Sequence, residues 1–173
     1  MKDRYASAKS KKIGKKYVHK HEESNVLISD IIHRNDLGSN IYECFIAFDE
    51  NLPFFFEHPV DHLPGLLLIE AARQMGIAVV HQFYGIGQDT YFILDRFFSR
   101  FYNFVEFELE TILRITVNEF KEKSRKGNGE FTGVICVIQN NKILAEFEII
   151  GNCISKKIVN RFRKRNLLQV STI

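Results

Sequence analysis

LPGLLLIEAARQMGIAVVHQF, residues 63–83, reads as a helix with almost no polar side. Pro64 suits a first helical turn, and Gly76 is the single later breaker. A helix that is apolar around most of its circumference has to be covered on several sides. The rest of the chain must therefore supply a wrapping layer.

That layer is written in strands. NVLISDIIH and NIYECFIAF, separated by RNDLGS, are rich in β-branched and aromatic residues. In TILRITVNEF, Leu113, Ile115 and Val117 alternate with Arg114, Thr116 and Asn118, the period of a half-buried strand. EFTGVICVIQ and KILAEFEIIG meet at Asn140 and Asn141, a hairpin signal, with Ile143, Ala145, Phe147 and Ile149 opposing Glu146 and Glu148. KEKSRKGNGE is a polar turn. Five or six antiparallel strands and one long apolar helix define an α+β architecture in which the sheet curls around the helix.

The 173 residues fit one domain, and no apolar run is long enough to span a bilayer. A cytoplasmic protein without membrane insertion is expected. Residues 1–17 read as a basic flexible arm, and 18–173 as a single domain that ends in a short basic helix from Ser155, with Ile158, Val159 and Phe162 facing inward. Residues 1–20 hold eight Lys or Arg, residues 156–165 hold six, and the stretch between carries ten basic against twenty acidic groups. Such ends suit an acidic protein partner; nucleic acid is not expected, and solvated tails are the plainer alternative. Cys44, Cys136 and Cys153 are too scattered for a bridge framework or zinc site, so free buried thiols are expected, with no metal or cofactor.

The chemistry concentrates at 54–74, FFFEHPVDHLPGLLLIEAARQ, where Glu70 stands among Leu66, Leu67, Leu68, Ile69, Ala71 and Ala72. A carboxylate in such company needs a partner or a purpose. Arg73 and Gln74, at i+3 and i+4, share its helix face. Glu70 is a candidate general base, and Arg73 a candidate anion holder; an internally satisfied pair is the alternative. His58 and His62 are candidate acid or base groups, with Asp61 able to fix a tautomer, unless Asp61 or His62 merely caps the helix. Gly65 and Leu66 open the helix, whose N-terminal N–H groups could polarise a carbonyl, or simply turn the chain. Phe54, Phe55, Phe56, Phe97, Phe98, Phe101, Phe104 and Phe107 are core residues or the lining of an acyl tunnel.

HPVDHLPGLLLIEAARQ resembles the segment that opens the central helix of hotdog-fold acyl-thioester dehydratases, with Leu63, Pro64, Gly65, Leu66, Glu70, Ala71 and Gln74 on matching positions. His58 and His62 lie twelve and eight residues before Glu70, closer than the dehydratase histidine. FFFEHPVDHLPGLLLIEAARQ is more similar still to the A-factor biosynthesis hotdog family, which makes γ-butyrolactone signals. The resemblance implies a hotdog fold, an antiparallel sheet around one central helix. It also implies a homodimer, since family members carry two such units in one chain and this chain carries one. The implied activity is transfer of a β-ketoacyl group from an acyl carrier protein or coenzyme A thioester to a small hydroxylated acceptor such as dihydroxyacetone phosphate. The site it implies comprises catalytic Glu70, His58 and His62 and substrate-binding Gly65, Leu66, Arg73, Gln74 and Asp61. A thioesterase, a dehydratase or a non-catalytic acyl-binding module are the alternatives.

Overall fold

In the computed structural model, residues 11–48, 52, 54–56, 60–124 and 128–170 are described. The long helix, α1, runs Gly65–Phe83 with Pro64 as its N-cap residue. Leu67, Leu68, Ala71, Ala72, Met75 and Ala78 are among its buried residues, and the small ones let covering layers approach its axis. Six strands form one sheet: β1 Ile32–His33, β2 Ile41–Phe45, β3 Thr90–Phe101, β4 Ile112–Ser124, β5 Asn128–Gln139 and β6 Lys142–Ser155. Their order is β1-β2-β4-β5-β6-β3, with every neighbour antiparallel. Helix α2, Lys156–Val170, follows β6 directly. This is the expected α+β hotdog architecture, and its core lies between the sheet and α1.

The alternation in β4 holds: Leu113, Ile115 and Val117 are buried against α1 and its neighbours, while Asn118 is exposed. The β5–β6 hairpin turns through Asn140 and Asn141, both at positive φ (48° and 59°), as a two-residue loop of matching twist requires. One register detail departs from expectation. A bulge beside Val137 and Ile138 sets Ile138 opposite Ile143 and Val137 opposite Ala145. Leu144, the extra residue, takes the buried place, and Ile143 is 47% exposed.

Two further expectations are corrected. Residues 11–17, assigned by composition to the arm, pack on the body: Ile13 and Val18 are fully buried, the Ile13 amide donates to the Ile28 carbonyl at 3.1 Å, and Lys15–Val18 forms a 3-10 turn against α1. The helix is thus covered by the sheet on one side and by residues 13–28 on another. Apolar burial of Ile13, Val18, Val26, Leu27 and Ile28 outweighs the cost of ordering a lysine-rich segment. In α2, Ile158 and Val159 are half-buried but Phe162 is 60% exposed, so it does not pack inward.

β3 pairs only with β6 and lies at the sheet edge, with a bulge between Leu94 and Arg96. Gly151 sits opposite Leu94 at that bulge, and a Cβ added there would stand 3.0 Å from the Ile93 carbonyl oxygen. Gly151→Ala should therefore cost about 1–3 kcal/mol through overpacking against backbone. Urea unfolding measures it; an unchanged midpoint would mean that the strands part there without cost.

Candidate active site

Glu70 lies in the second turn of α1, 22% exposed at its side chain. Arg73 clamps it with two bonds, Nε to Oε2 at 2.7 Å and Nη2 to Oε1 at 2.8 Å. Lys20 Nζ reaches Oε1 at 2.8 Å, and Gln74 Nε2 donates to the same oxygen at 3.0 Å. Burial alone would raise the Glu70 pKa, but the donors from Arg73, Lys20 and Gln74 outweigh it and hold it at about 2. Glu70 is thus an ionised and weakly basic carboxylate in this state.

Gln74 is fully buried, and its amide is engaged on protein. Nε2 donates to the Asn25 carbonyl at 2.9 Å as well as to Glu70, and Oε1 accepts the Leu27 amide at 2.9 Å. Gln74 thereby straps residues 25–27 onto α1. Sequence reading also missed Lys20, which is hidden within a run of lysines. Its only signal is its place between His19 and His21, two residues after Val18.

Two unlike clefts meet at this ion pair. One, of about 210 Å³, lies between α1, β3, β5 and β6 and is lined by Ile69, Arg73, Phe92, Phe97, Phe131 and Cys153 among others; it is apolar except at Arg73 and Asn152. The other, of about 420 Å³, is lined by Glu70, Lys20, Asn25, Leu66, Ile69, Phe54 and Phe55. Ile69 belongs to both. Leu66, 61% exposed, thus faces the Glu70 side.

His62 and Gly65 line a third pocket, with Phe101, Tyr102 and Phe104. His62 Nδ1 lies 2.7 Å from Asp61 Oδ1 and its ring packs 4.6 Å from Phe104. The Asp61 carboxyl is held below its usual range by that hydrogen bond. The Asp61 carboxylate can only accept, so Nδ1 of His62 carries the proton in that bond. Among the described residues no side chain caps α1, so the capping alternative does not hold. The Leu67 and Leu68 amides both reach the Pro64 carbonyl, at 3.0 and 3.2 Å. The Phe101 ring covers Gly65, where a Cβ would sit 3.3 Å from it. Within one chain His62 and Glu70 thus line different pockets. His58 lies outside the described residues. Of the phenylalanines, Phe56 and Phe107 pack with Phe48, and Phe98 is exposed.

A histidine pair stands beside this site. His81 Nδ1 donates to the Ile86 carbonyl at 2.7 Å, so its Nε2 accepts from His19 Nε2 at 2.9 Å, and Phe92 meets both rings edge-on. Burial first, then the nearby His81, Lys156 and Arg73 charges, lowers the His19 pKa from 6.5 to about 4; burial also lowers that of His81, partly offset by the Ile86 bond. Both shifts favour the neutral form on folding. Their contribution is present above pH 6.5 and is lost as pH falls toward 4. Urea midpoints should therefore drop across that window, and His19→Leu should flatten the drop. A flat wild-type profile would contradict the pairing.

The six-stranded antiparallel sheet on a central helix, with a polar cluster in the second turn of that helix, defines a hotdog domain. Solved structures agree on the fold. A homologue of HP0420 from Helicobacter felis superposes with TM-score 0.54 at 12% identity, covering 80% of this chain and 85% of that one. yhdA of Lactococcus lactis, a provisionally assigned thioesterase, gives 0.52 at 16%, covering 74% and 93%. The chain belongs to the A-factor biosynthesis hotdog domain family, whose model matches residues 2–155. It is also 55% identical over 34 residues to 2-oxo-3-(phosphooxy)propyl 3-oxoalkanoate synthase of Streptomyces virginiae, a match spanning 20% of this chain and 12% of that protein. No helix among the described residues is long and apolar enough to cross a membrane.

Proposed function

We propose that this protein is an acyltransferase that moves a β-ketoacyl group from an acyl carrier protein or coenzyme A thioester to a small hydroxylated acceptor, such as dihydroxyacetone phosphate, and that it works as a homodimer. One observation carries the reading: the Glu70–Arg73 pair lies between an apolar cavity and a cleft in which Lys20, Asn25 and Glu70 stand among apolar side chains. A two-substrate reaction that joins an acyl chain to a polar alcohol needs such a pair of spaces. A hydrolase would need only the first. The family and the partial relative, whose name describes an ester of a 3-oxo acid with a phosphorylated alcohol, favour the same chemistry.

In this reading the acyl chain occupies the cavity beside Phe92 and Phe97, and the acceptor enters beside Lys20 and Glu70. Glu70 takes the hydroxyl proton as the alcohol oxygen attacks the thioester carbonyl carbon. The C–O bond forms, the C–S bond breaks, and the proton passes to the departing thiolate. The outer edge of β3, with exposed Leu94 and Phe98, supports pairing of two copies along that strand. His62, oriented by Asp61, serves as the second proton-transfer group at the junction. The basic helix α2 suits an acidic carrier protein.

The test is to incubate the protein with β-ketoacyl carrier protein and dihydroxyacetone phosphate and weigh the products. The ester is expected. Free β-keto acid alone would indicate a thioesterase, an enoyl product from a β-hydroxyacyl donor a dehydratase, and an unchanged donor a binding module.

A further inference from the structure

The basicity of Glu70 poses a problem that the geometry also answers. Its Oε1 receives Lys20 Nζ, Arg73 Nη2 and Gln74 Nε2 at once, and no carboxylate so surrounded takes a proton from an alcohol readily. Arg73 and Gln74 belong to the same helix and stay in place. Lys20 does not. It comes from the segment laid over α1, on a flexible four-carbon stem, with its side chain 25% exposed and lining the cleft beside Glu70. The cluster of Lys20, Arg73 and Glu70 carries one cation more than its carboxylate neutralises. Arg73 Nη1 has no hydrogen-bond partner among the described residues, since Nε and Nη2 make the bonds to Glu70. An anion entering the cleft thus meets a surplus cation at its wall.

We propose that Lys20 is a transferable counter-ion that ties acceptor recognition to the strength of the base. The anionic group of a small alcohol, a phosphomonoester or a carboxylate, draws Lys20 Nζ off Glu70 Oε1; the relieved Oε1 then accepts the proton of that alcohol's hydroxyl. This rests on the transferase reading and adds to it a positioning residue and a selection rule. An uncharged alcohol leaves Lys20 on Glu70 and is a poor acceptor. The charged groups around Glu70 are Lys20 from the overlying segment and Arg73 from α1, with His19 next to Lys20 in the chain. Since His19 is neutral from pH 6 upward, the exchange there is governed by Lys20 and Arg73.

The experiment uses the intact protein without any thioester. The Glu70 carboxyl is followed by carbon NMR of glutamate-labelled protein, assigned by its loss in Glu70→Gln, with glycerol 3-phosphate, glycerate or glycerol added at saturation. In the wild type at pH 7, where both anions are charged, the Glu70 carboxyl resonance should move with the two anions and stay put with glycerol. If only one anion acts, it identifies the recognised group. In Lys20→Met the resonance should start displaced from its wild-type position and respond much less, and in Lys20→Arg the wild-type starting position should return. A wild-type resonance indifferent to both anions, or a Lys20→Met response equal to the wild type's, overturns the proposal. With donor present, Lys20→Met should raise KM for an anionic acceptor about tenfold, the worth of one charged hydrogen bond, and shift the acid limb of the kcat/KM profile upward. Absence of ester from every protein and acceptor would instead count against the transferase reading, and the NMR titration would still decide the counter-ion exchange.

Discussion

Glu70→Gln should lower turnover by about 10²–10⁴-fold, the usual contribution of a positioned general base, while leaving acyl binding intact. Gln keeps the shape of the side chain and can still accept hydrogen bonds from Arg73 and Lys20, but it cannot take a proton. The apolar cavity does not include position 70, so affinity for a non-reactive acyl thioether should stay within a factor of about three of wild type, within the range of an unperturbed pocket. The stability cost should be about 1 kcal/mol or less, since the ion pairs at Glu70 are partly open to solvent. Rapid-mixing assays of product formation alongside calorimetric binding measure the two halves. Equal loss in both would make Glu70 a structural group, and full turnover would remove it from the chemistry.

Glu43→Ala should destabilise the fold by about 3 kcal/mol or more. Glu43, on β2, is the more deeply buried carboxylate, 1% exposed. It faces Arg114 across the strand pair, with Arg114 Nε 2.6 Å from Oε1, and it also bonds Arg34, which in turn holds Asp36. This links the β1–β2 turn to β4. Removal of Glu43 takes from Arg34 and Arg114 the carboxylate they share, one that is itself shut off from water, which costs more than the pair contributed. Urea unfolding should show it. Activity per folded molecule should be unchanged, because Glu43 lines none of the clefts around Glu70. A shift below about 1 kcal/mol, the level of a surface pair, would mean that water reaches both arginines.

The contrast between these two glutamates shows what could be read in the chain. Glu70 stood out because six apolar neighbours on a helix isolate a charge. Glu43, within NIYECFIAF, carries no such mark, because the arginine that pairs with it comes from across the turn. α1 was legible from Pro64 and its apolar periodicity, β4 from strict alternation, and the β5–β6 turn from two consecutive asparagines. β3 was not: its bulge at Asp95 breaks the period of two, and an edge strand with Ile93, Leu94 and Phe98 exposed has no clear inward face. Residues 11–17 were missed because Ile13 and Tyr17 are diluted by lysines, though with Val18 they pack into the core beside the helix. Of the expected site, Glu70, Arg73 and Leu66 converge around the ion pair, whereas His62, Asp61 and Gly65 gather in a separate pocket. No pattern in one chain encodes that separation, because it depends on which side of α1 each pocket opens.

Acyl transfer by this protein depends on what fills the space on either side of the Glu70–Arg73 pair, and a crystal structure of the protein with a non-hydrolysable β-ketoacyl pantetheine amide reads this directly. The acyl chain should run between Phe92, Phe97 and Phe131, with its carbonyl carbon next to the cleft that holds Glu70 and Lys20, close enough for an alcohol to bridge the two. An acyl chain lodged elsewhere, or a Glu70 carboxylate closed off from the bound carbonyl, would contradict it.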